Sequence, residues 1–356
     1  MTNDTPRIAI LGARGAVGQQ VIARLAAVAQ VRAGSRRPPA VQYAGVEYHS
    51  VDLYDSDALA TFCTGCCLII NCAAPGSRIG DRVARIAEKL GCDYLDPGGD
   101  DHLFALLHNK VAPEQRYVLS AGMLPGLSGL LLQSAASAFD TLESVTGYAL
   151  SCEPYSPGGA ADVIASLDNG YGIAGLALRQ GRLQPCAGID DIQLPLAQAS
   201  ASGSPFMTSE WQRIGGRFPQ TDLTWFNLFA ADDVASWLSR RDLHRADAAE
   251  TLVALSIRAF AGRPAQHLLA VEARGKIRGE QQQRACVLES DSGAKLTAAV
   301  TVFCALQMLQ GALPAGVHFA ADVLHPAQAL QFMQQHLPGF CWLELPALTV
   351  SEEGAI

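Results

Sequence analysis

Before residue 125 the apolar residues of this chain follow two alternating rhythms, and the alternation predicts an ordered series of strands and helices. Short apolar runs closed by glycine, proline or polar residues predict strands over 7–11, 29–33, 46–51, 67–72, 92–95 and 116–120. Between them, apolar positions three and four apart predict helices over 17–28, 55–63 and 78–90. Ile79, Val83, Ile86, Ala87 and Leu90 fall on one side of the last. Such alternation belongs to an α/β domain with a parallel, doubly wound sheet. Beyond Leu132 the rhythm changes. Ser144 to Leu150, Leu268 to Gly275 and Arg284 to Glu289 alternate as strands do, and two Gly/Ser/Pro-rich stretches, Ser151 to Gly159 and Ser200 to Phe206, read as loops. This middle region reads as an α+β substrate domain on a more open sheet. Helical spacing returns over Leu296 to Leu309 and Pro326 to His336.

The first strand-to-helix junction, Arg7-Ile-Ala-Ile-Leu-Gly-Ala-Arg-Gly-Ala-Val-Gly18, concentrates the chemistry. Glycine is needed where a strand turns sharply, where a pyrophosphate touches bare backbone, and where helix meets sheet. Free N–H groups and the positive end of the helix dipole then hold the phosphates. The segment reads as a nucleotide-binding Rossmann unit, with contacts from Gly12, Arg14, Gly15, Ala16, Val17 and Gly18.

Ligands in such sheets lie beyond the carboxyl ends of the strands. Three loops leave those ends: Asn71 to Arg78, Asp96 to His102, and Ser120 to Gly126. A nicotinamide ring is expected against the first and third, which makes Cys72, Ala73, Ala74, Pro75 and Gly122 further cofactor candidates. Where many NAD binders carry an acid for the ribose hydroxyls, the second strand ends in Ser35-Arg36-Arg37. A hydroxyl and two guanidinium groups suit a ribose 2′-phosphate, so the expected cofactor is NADP(H). The other reading of Arg36 and Arg37 is a solvated loop. Asp52 either lies near the adenine edge or caps the helix that begins near Asp55.

Composition narrows the class. A chain of 356 residues has room for two domains, and 49% hydrophobic with 17% charged residues describes an ordinary globular protein. The net charge of -8 argues against a nucleic-acid partner. No apolar run approaches the ~20 residues of a membrane helix, and the polar start carries no signal peptide, so a cytoplasmic protein is expected. Ten cysteines do not form a disulfide framework at this length. Cys63, Cys66, Cys67 and Cys72 straddle a helix end and an apolar strand without completing a metal site, so no metal is expected.

Several segments together resemble the saccharopine dehydrogenase/reductase-like NADP-binding family: Ile8 to Gly18, Asn71 to Pro75, Gly91 to Asp96 and Ala121 to Gly126. Leu296 to Ala299, Leu306 to Gly311, Gly316-Val317 and Leu324-His-Pro326 fit as well. The resemblance implies a Rossmann domain over 1–125, an inserted α+β substrate and dimerisation domain over 126–295, and C-terminal helices (296–356) returning to the first domain. It implies hydride transfer to a C=N bond. Lysine-pathway members are usually longer, whereas short members look like thiazolinyl imine reductase-type tailoring enzymes of siderophore biosynthesis. The expected activity is therefore NADPH-dependent imine reduction in a homodimer, on a small-molecule substrate either free or tethered to a carrier protein. The alternatives are a saccharopine-type amino-acid dehydrogenase and a non-catalytic NADP sensor.

Imine reduction places hydride on carbon and a proton on nitrogen. Tyr94, Asp96, His102, Cys152, Glu153 and Tyr155 are the proton-donor candidates, and Tyr155, Asp96 and His102 are favoured. Tyr155 lies in a glycine- and proline-rich stretch where a lid would lie. Asp96 could instead only shape a turn, and His102 could be an exposed loop histidine. Arg213, Arg217, Arg274 and Arg278 could bind the carboxylates of a saccharopine-like substrate or be surface arginines. Trp211, Phe218, Trp225, Phe226 and Phe229 suit either an aryl substrate or a core. A short-chain epimerase or reductase would need Tyr-x-x-x-Lys, and none of Lys89, Lys110, Lys276 and Lys295 has that tyrosine.

Overall fold

A computed structural model describes residues 5–168, 171–239 and 246–348. The chain divides into two compact units, the first running to Leu127 and again from Ala294 to His336, the second holding Ser128–Gly293 and the described residues from Leu337 on.

The first unit contains β1 (Arg7–Leu11), α1 (Ala16–Leu25), β2 (Gln30–Ser35), β3 (Glu47–Ser50), α2 (Ser56–Cys63), β4 (Leu68–Asn71), α3 (Gly76–Ile79), α4 (Arg82–Leu90), β5 (Asp93–Leu95), α5 (Asp101–Leu107) and β6 (Arg116–Leu119). The chain then enters the second unit through α6 (Leu127–Ser137), β7 (Thr141–Cys152), α7 (Pro157–Asp168), β8 (Gly172–Ala174), β9 (Leu176–Arg179), β10 (Arg182–Pro185), β11 (Ile189–Ile192) and β12 (Ala201–Thr208). There follow α8 (Ser209–Gly215), β13 (Asp222–Phe229), α9 (Asp232–Leu238), α10 (Ala248–Ala259), β14 (Gln266–Ile277) and β15 (Glu280–Ser290). The chain returns through α11 (Gly293–Leu309), β16 (Gly316–Phe319), α12 (Ala320–Val323) and α13 (Pro326–His336), and β17 (Cys341–Leu345) comes last.

Among the described residues the first unit holds a seven-stranded sheet in the order β16-β6-β5-β4-β1-β2-β3. Every pairing in it is parallel. Parallel strands covered on both faces must be apolar throughout, and Ile8 to Leu11 and Leu68 to Ile70 are accordingly buried. The order reverses between β1 and β4, which opens a crevice at their carboxyl ends.

Local chemistry fixes the helix ends. The Asp55 carboxylate accepts from the N–H groups of Asp57 and Ala58 and so caps α2. Asp52, which sequence offered for that role, instead accepts from the Tyr54 N–H at 3.0 Å in a local turn. The single helix expected over 78–90 is two helices, because Gly80 adopts a φ of 58° between α3 and α4.

The second unit is built on a mixed sheet whose main path is β10-β9-β13-β7-β14-β15-β17, with β12 beside β13 and β8 and β11 beside β12. Its core sets Trp211 against Trp225 edge to face, ring centroids 4.9 Å apart, both fully buried. Gly147 makes that packing possible, since a β-carbon there would lie 2.4 Å from the Trp225 ring and 2.5 Å from Trp211. Trp211 and Trp225, with the buried Phe226, are core residues.

Three sequence expectations change here. The stretch Ser200 to Phe206 is, from Ala201 on, strand β12, whose small residues admit neighbouring side chains: a β-carbon on Gly203 would meet Ile189 at 2.6 Å and Leu228 at 2.8 Å. The stretch Ser151 to Gly159 is a loop only over 153–156, between the end of β7 and the start of α7, where Ser156 Oγ accepts from the Gly159 N–H and Pro157 occupies the first helical position. The final segment does not stay with the first unit. β17 pairs antiparallel with β15, from Ala285 opposite Leu345 to Glu289 opposite Cys341.

Candidate functional site

The glycine turn lies at the carboxyl end of β1, beside the reversal point. Gly12 has a φ of 78°, and a β-carbon there would sit 2.4 Å from the Cys72 carbonyl oxygen. Gly18 is equally confined, 2.3 Å from the Gly12 carbonyl oxygen by the same construction. Gly15 differs. Its β-carbon would meet only Gly12 O at 3.2 Å and Cys72 O at 3.9 Å, and the residue is exposed. Two glycines are therefore demanded by the fold, and the third leaves bare backbone facing outward.

Gly15 is the N-cap of α1 and supplies no side-chain cap, and the first turn carries no acidic residue. The N–H groups of Ala16, Val17 and Gly18 have no carbonyl one helical turn earlier to receive them. Arg14, Gly15 and Ala16 are exposed and Val17 half-buried. An anionic pyrophosphate fits such a cradle by charge and by shape.

Ser35 ends β2, and Arg36 and Arg37 follow it, both exposed. Ser35 Oγ donates to the Arg37 carbonyl at 2.6 Å, and Ser50 Oγ donates to the Arg36 carbonyl at 3.2 Å. The backbone carrying the two arginines is thus tied down, while neither guanidinium enters an ion pair among the described residues.

The loop after β4 faces the glycine turn. Cys72 N–H donates to Leu11 O at 3.0 Å, and Ala73 and Pro75 are half-buried with Ala74 exposed between them. Burial pushes the Cys72 thiol well above its ordinary range, which makes it a wall rather than a nucleophile. Gly122 is buried and does not face this crevice as bare backbone: a β-carbon there would meet the Pro97 carbonyl at 2.7 Å. Loop packing is the reason for that glycine.

Behind the β4 loop lies a buried polar group that sequence supplied in pieces. Asp96 Oδ2 accepts from the Tyr94 hydroxyl at 2.6 Å and from Asn71 Nδ2 at 3.1 Å, and Oδ1 accepts from the Gly98 N–H at 2.9 Å. Asp96 is 7% exposed. Burial pushes its carboxyl above the usual range against the pull of these donors, and it pushes the Tyr94 hydroxyl up as well. With both oxygens engaged and no open face, Asp96 is not placed to deliver a proton to a ligand. His102 is exposed on the first turn of α5, the helix that starts from this loop.

Within the second unit, Tyr155 packs its ring against the apolar cluster of Ala160, Val234 and Leu252. Its N–H donates to Ser256 Oγ at 3.0 Å, and burial pushes its phenol up. The ring belongs to a core rather than to a lid. The neighbouring candidate Glu153 is paired instead: His267 Nε2, buried, lies 2.8 Å from Glu153 Oε1 but off the axis of a good hydrogen bond. His267 stands at the start of β14, and no local pattern in the sequence announces it. Arg274 leans on Glu272 at 3.5 Å, Arg278 occupies the β14–β15 turn, and Arg213 and Arg217 belong to α8 and the turn after it. The four arginines thus stand in two pairs, one at the end of α8 and one at the end of β14.

Comparison with known proteins matches the geometry of the first unit. Residues 8–93 match the model of the NAD dependent epimerase/dehydratase family. No curated protein sequence matches the chain. Among solved structures, the saccharopine dehydrogenase (L-Glu forming) of Saccharomyces cerevisiae superposes with a TM-score of 0.67 at 14% identity, covering 96% of this chain and 99% of that one. An engineered D-amino acid dehydrogenase superposes with a TM-score of 0.50 at 14% identity, covering 93% and 99%. The chain has the α/β fold of saccharopine dehydrogenase, a parallel Rossmann sheet with a separate mixed-sheet unit.

Proposed function

We propose that this protein is an NADP(H)-dependent oxidoreductase that reduces a C=N bond in a small molecule. The observation that carries the reading is the pairing of the glycine turn with Ser35, Arg36 and Arg37 at the end of β2. The turn offers N–H groups to a pyrophosphate, and the two exposed guanidiniums offer planar donors to a 2′-phosphate. When bound, the nicotinamide supplies or accepts hydride. The loop from Cys72 to Pro75 then borders the second half of the cofactor, and Cys72 and Ala73 keep that wall apolar. Of the favoured proton donors, His102 is the one in the first unit whose ring is exposed.

The imine reading is supported by the fold. Both superposed proteins are named as dehydrogenases of amino acids or their derivatives. Removing hydride from an amino-bearing carbon gives C=N, so the reverse of such a reaction is imine reduction. A thiazoline-type imine of siderophore biosynthesis, free or carrier-bound, is the substrate we favour, in a cytoplasmic homodimer. Among the described residues no helix is long and apolar enough to cross a membrane. Saccharopine-type dehydrogenation is the second reading, favoured by a superposition that spans nearly the whole of both chains.

The test follows the NADPH absorbance band, its loss when cyclic imines or ketones are offered as hydride acceptors, and its rise when NADP⁺ is offered with saccharopine or other amino acids as hydride donors. Turnover with imines alone supports the proposal. Turnover with ketones alone overturns it, and oxidation of saccharopine with NADP⁺ selects the second reading. Tight NADPH binding with no turnover across the set would leave a sensor.

A further inference from the structure

The carboxylate of Asp96 is buried beyond the reach of a ligand, yet it joins more strand ends than any acid in a plain turn would need. Its side chain holds Tyr94 of β5, Asn71 of β4 and the Gly98 N–H. Its backbone holds β6, because Asp96 N–H donates to Val118 O at 2.9 Å and Asp96 O accepts from the Ala121 N–H at 3.1 Å. Asn71 passes the constraint forward: its Oδ1 accepts from the Ala73 N–H at 3.4 Å, inside the loop that abuts Gly12. All these partners stand on the β4–β6 half of the sheet. The glycine turn, Arg36 and Arg37 stand on the β1–β3 half.

A doubly wound sheet receives a dinucleotide as two mononucleotides, one on each half. Resting on the cofactor reading above, we propose that Asp96 is a positioning residue that fixes the β4 loop for the nicotinamide-side mononucleotide and leaves the adenosine side untouched. It acts through Asn71 and Ala73, and touches neither cofactor nor substrate.

This division of labour is testable with a cofactor fragment. Adenosine 2′,5′-bisphosphate carries the adenosine side alone, and NADPH carries both. In Asp96→Asn the side chain keeps its shape, but one oxygen becomes an NH2 group that must face the Asn71 and Tyr94 donors or lose Gly98. Calorimetric titration is expected to show NADPH weakened about tenfold or more, the order of a lost hydrogen bond to a charged group, with the bisphosphate unchanged within about twofold. Tyr94→Phe removes one donor without introducing a clash and is expected to give the same split at smaller amplitude. It carries the test if Asp96→Asn does not fold. Equal weakening of both ligands, or of neither, overturns the inference. Wild-type protein that binds neither ligand overturns the cofactor reading itself, and this inference with it.

Discussion

Gly12 and Cys72 meet backbone to backbone: a β-carbon on Gly12 would lie 2.4 Å from the Cys72 carbonyl oxygen, at a φ of 78° that other residues rarely adopt. The ends of β1 and β4 can approach this closely only because Gly12 has no side chain, and that approach forms the floor of the crevice. Gly12→Ala is therefore expected to lower stability by about 1–3 kcal/mol from the left-handed backbone alone, with the clash added. Gly15→Ala meets one tight backbone contact, the Gly12 carbonyl oxygen at 3.2 Å, without a left-handed backbone, and is expected to cost about 1 kcal/mol or less. Gly15→Val should nonetheless abolish NADPH binding. Thermal melts and calorimetry on these variants check both halves. Loss of binding by Gly15→Val only through unfolding would contradict the cradle.

A second prediction concerns pH. The Asp96 carboxyl is raised by burial, so the folded state holds its proton above the unfolded value of about 3.9. The sign follows from linkage: where the folded state binds the extra proton, stability falls as pH rises, by up to about 1.4 kcal/mol per pH unit for one proton. Asp96→Asn removes that contribution. Denaturant unfolding between pH 4 and pH 7 should show wild-type stability declining relative to the variant as pH rises. Parallel curves would show that Asp96 titrates alike in both states.

The Gly147 position tests the reading of the aromatics as a core. Gly147→Ala would drive a methyl group into both indole rings, 2.4 Å from Trp225 and 2.5 Å from Trp211. Overpacking of this kind costs typically about 1–3 kcal/mol. The near-ultraviolet circular dichroism of the tryptophans should change with it. An unchanged melting curve would place these rings in a looser environment than the structure gives them.

Much of the first unit was legible because its signals are local. Short apolar runs closed by glycine, proline or polar residues gave the strands, whereas the strand order and its reversal point come from pairing and were not legible. The polar group around Asp96 was half legible: Tyr94 and Asp96 are two apart, so a strand puts them on one side, but Asn71 reaches them only through sheet pairing. In the second unit, β12 was hidden because Gly203 and Pro205 look like loop residues when their packing partners are unseen. The start of α7 was hidden by Gly158 and Gly159, although Ser156 and Pro157 carry a helix-start signal. β10 is only four residues long and has no buried face, being exposed along its length. β17 pairs with the distant strand β15, from Glu289 opposite Cys341 to Ala285 opposite Leu345, and nothing in Cys341 to Leu345 names that partner. Glu153 and His267 are likewise joined only by the pairing of β7 with β14.

The account rests on Arg36 and Arg37 reading a 2′-phosphate beside the glycine turn, and calorimetry with NADPH and NADH on wild-type protein and on Arg36→Ala/Arg37→Ala tests it most directly. Wild-type protein should prefer NADPH, and the double variant should lose about a hundredfold in NADPH affinity while NADH changes by less than about threefold. Equal loss for both cofactors, or no heat from either with folded wild-type protein, would contradict it.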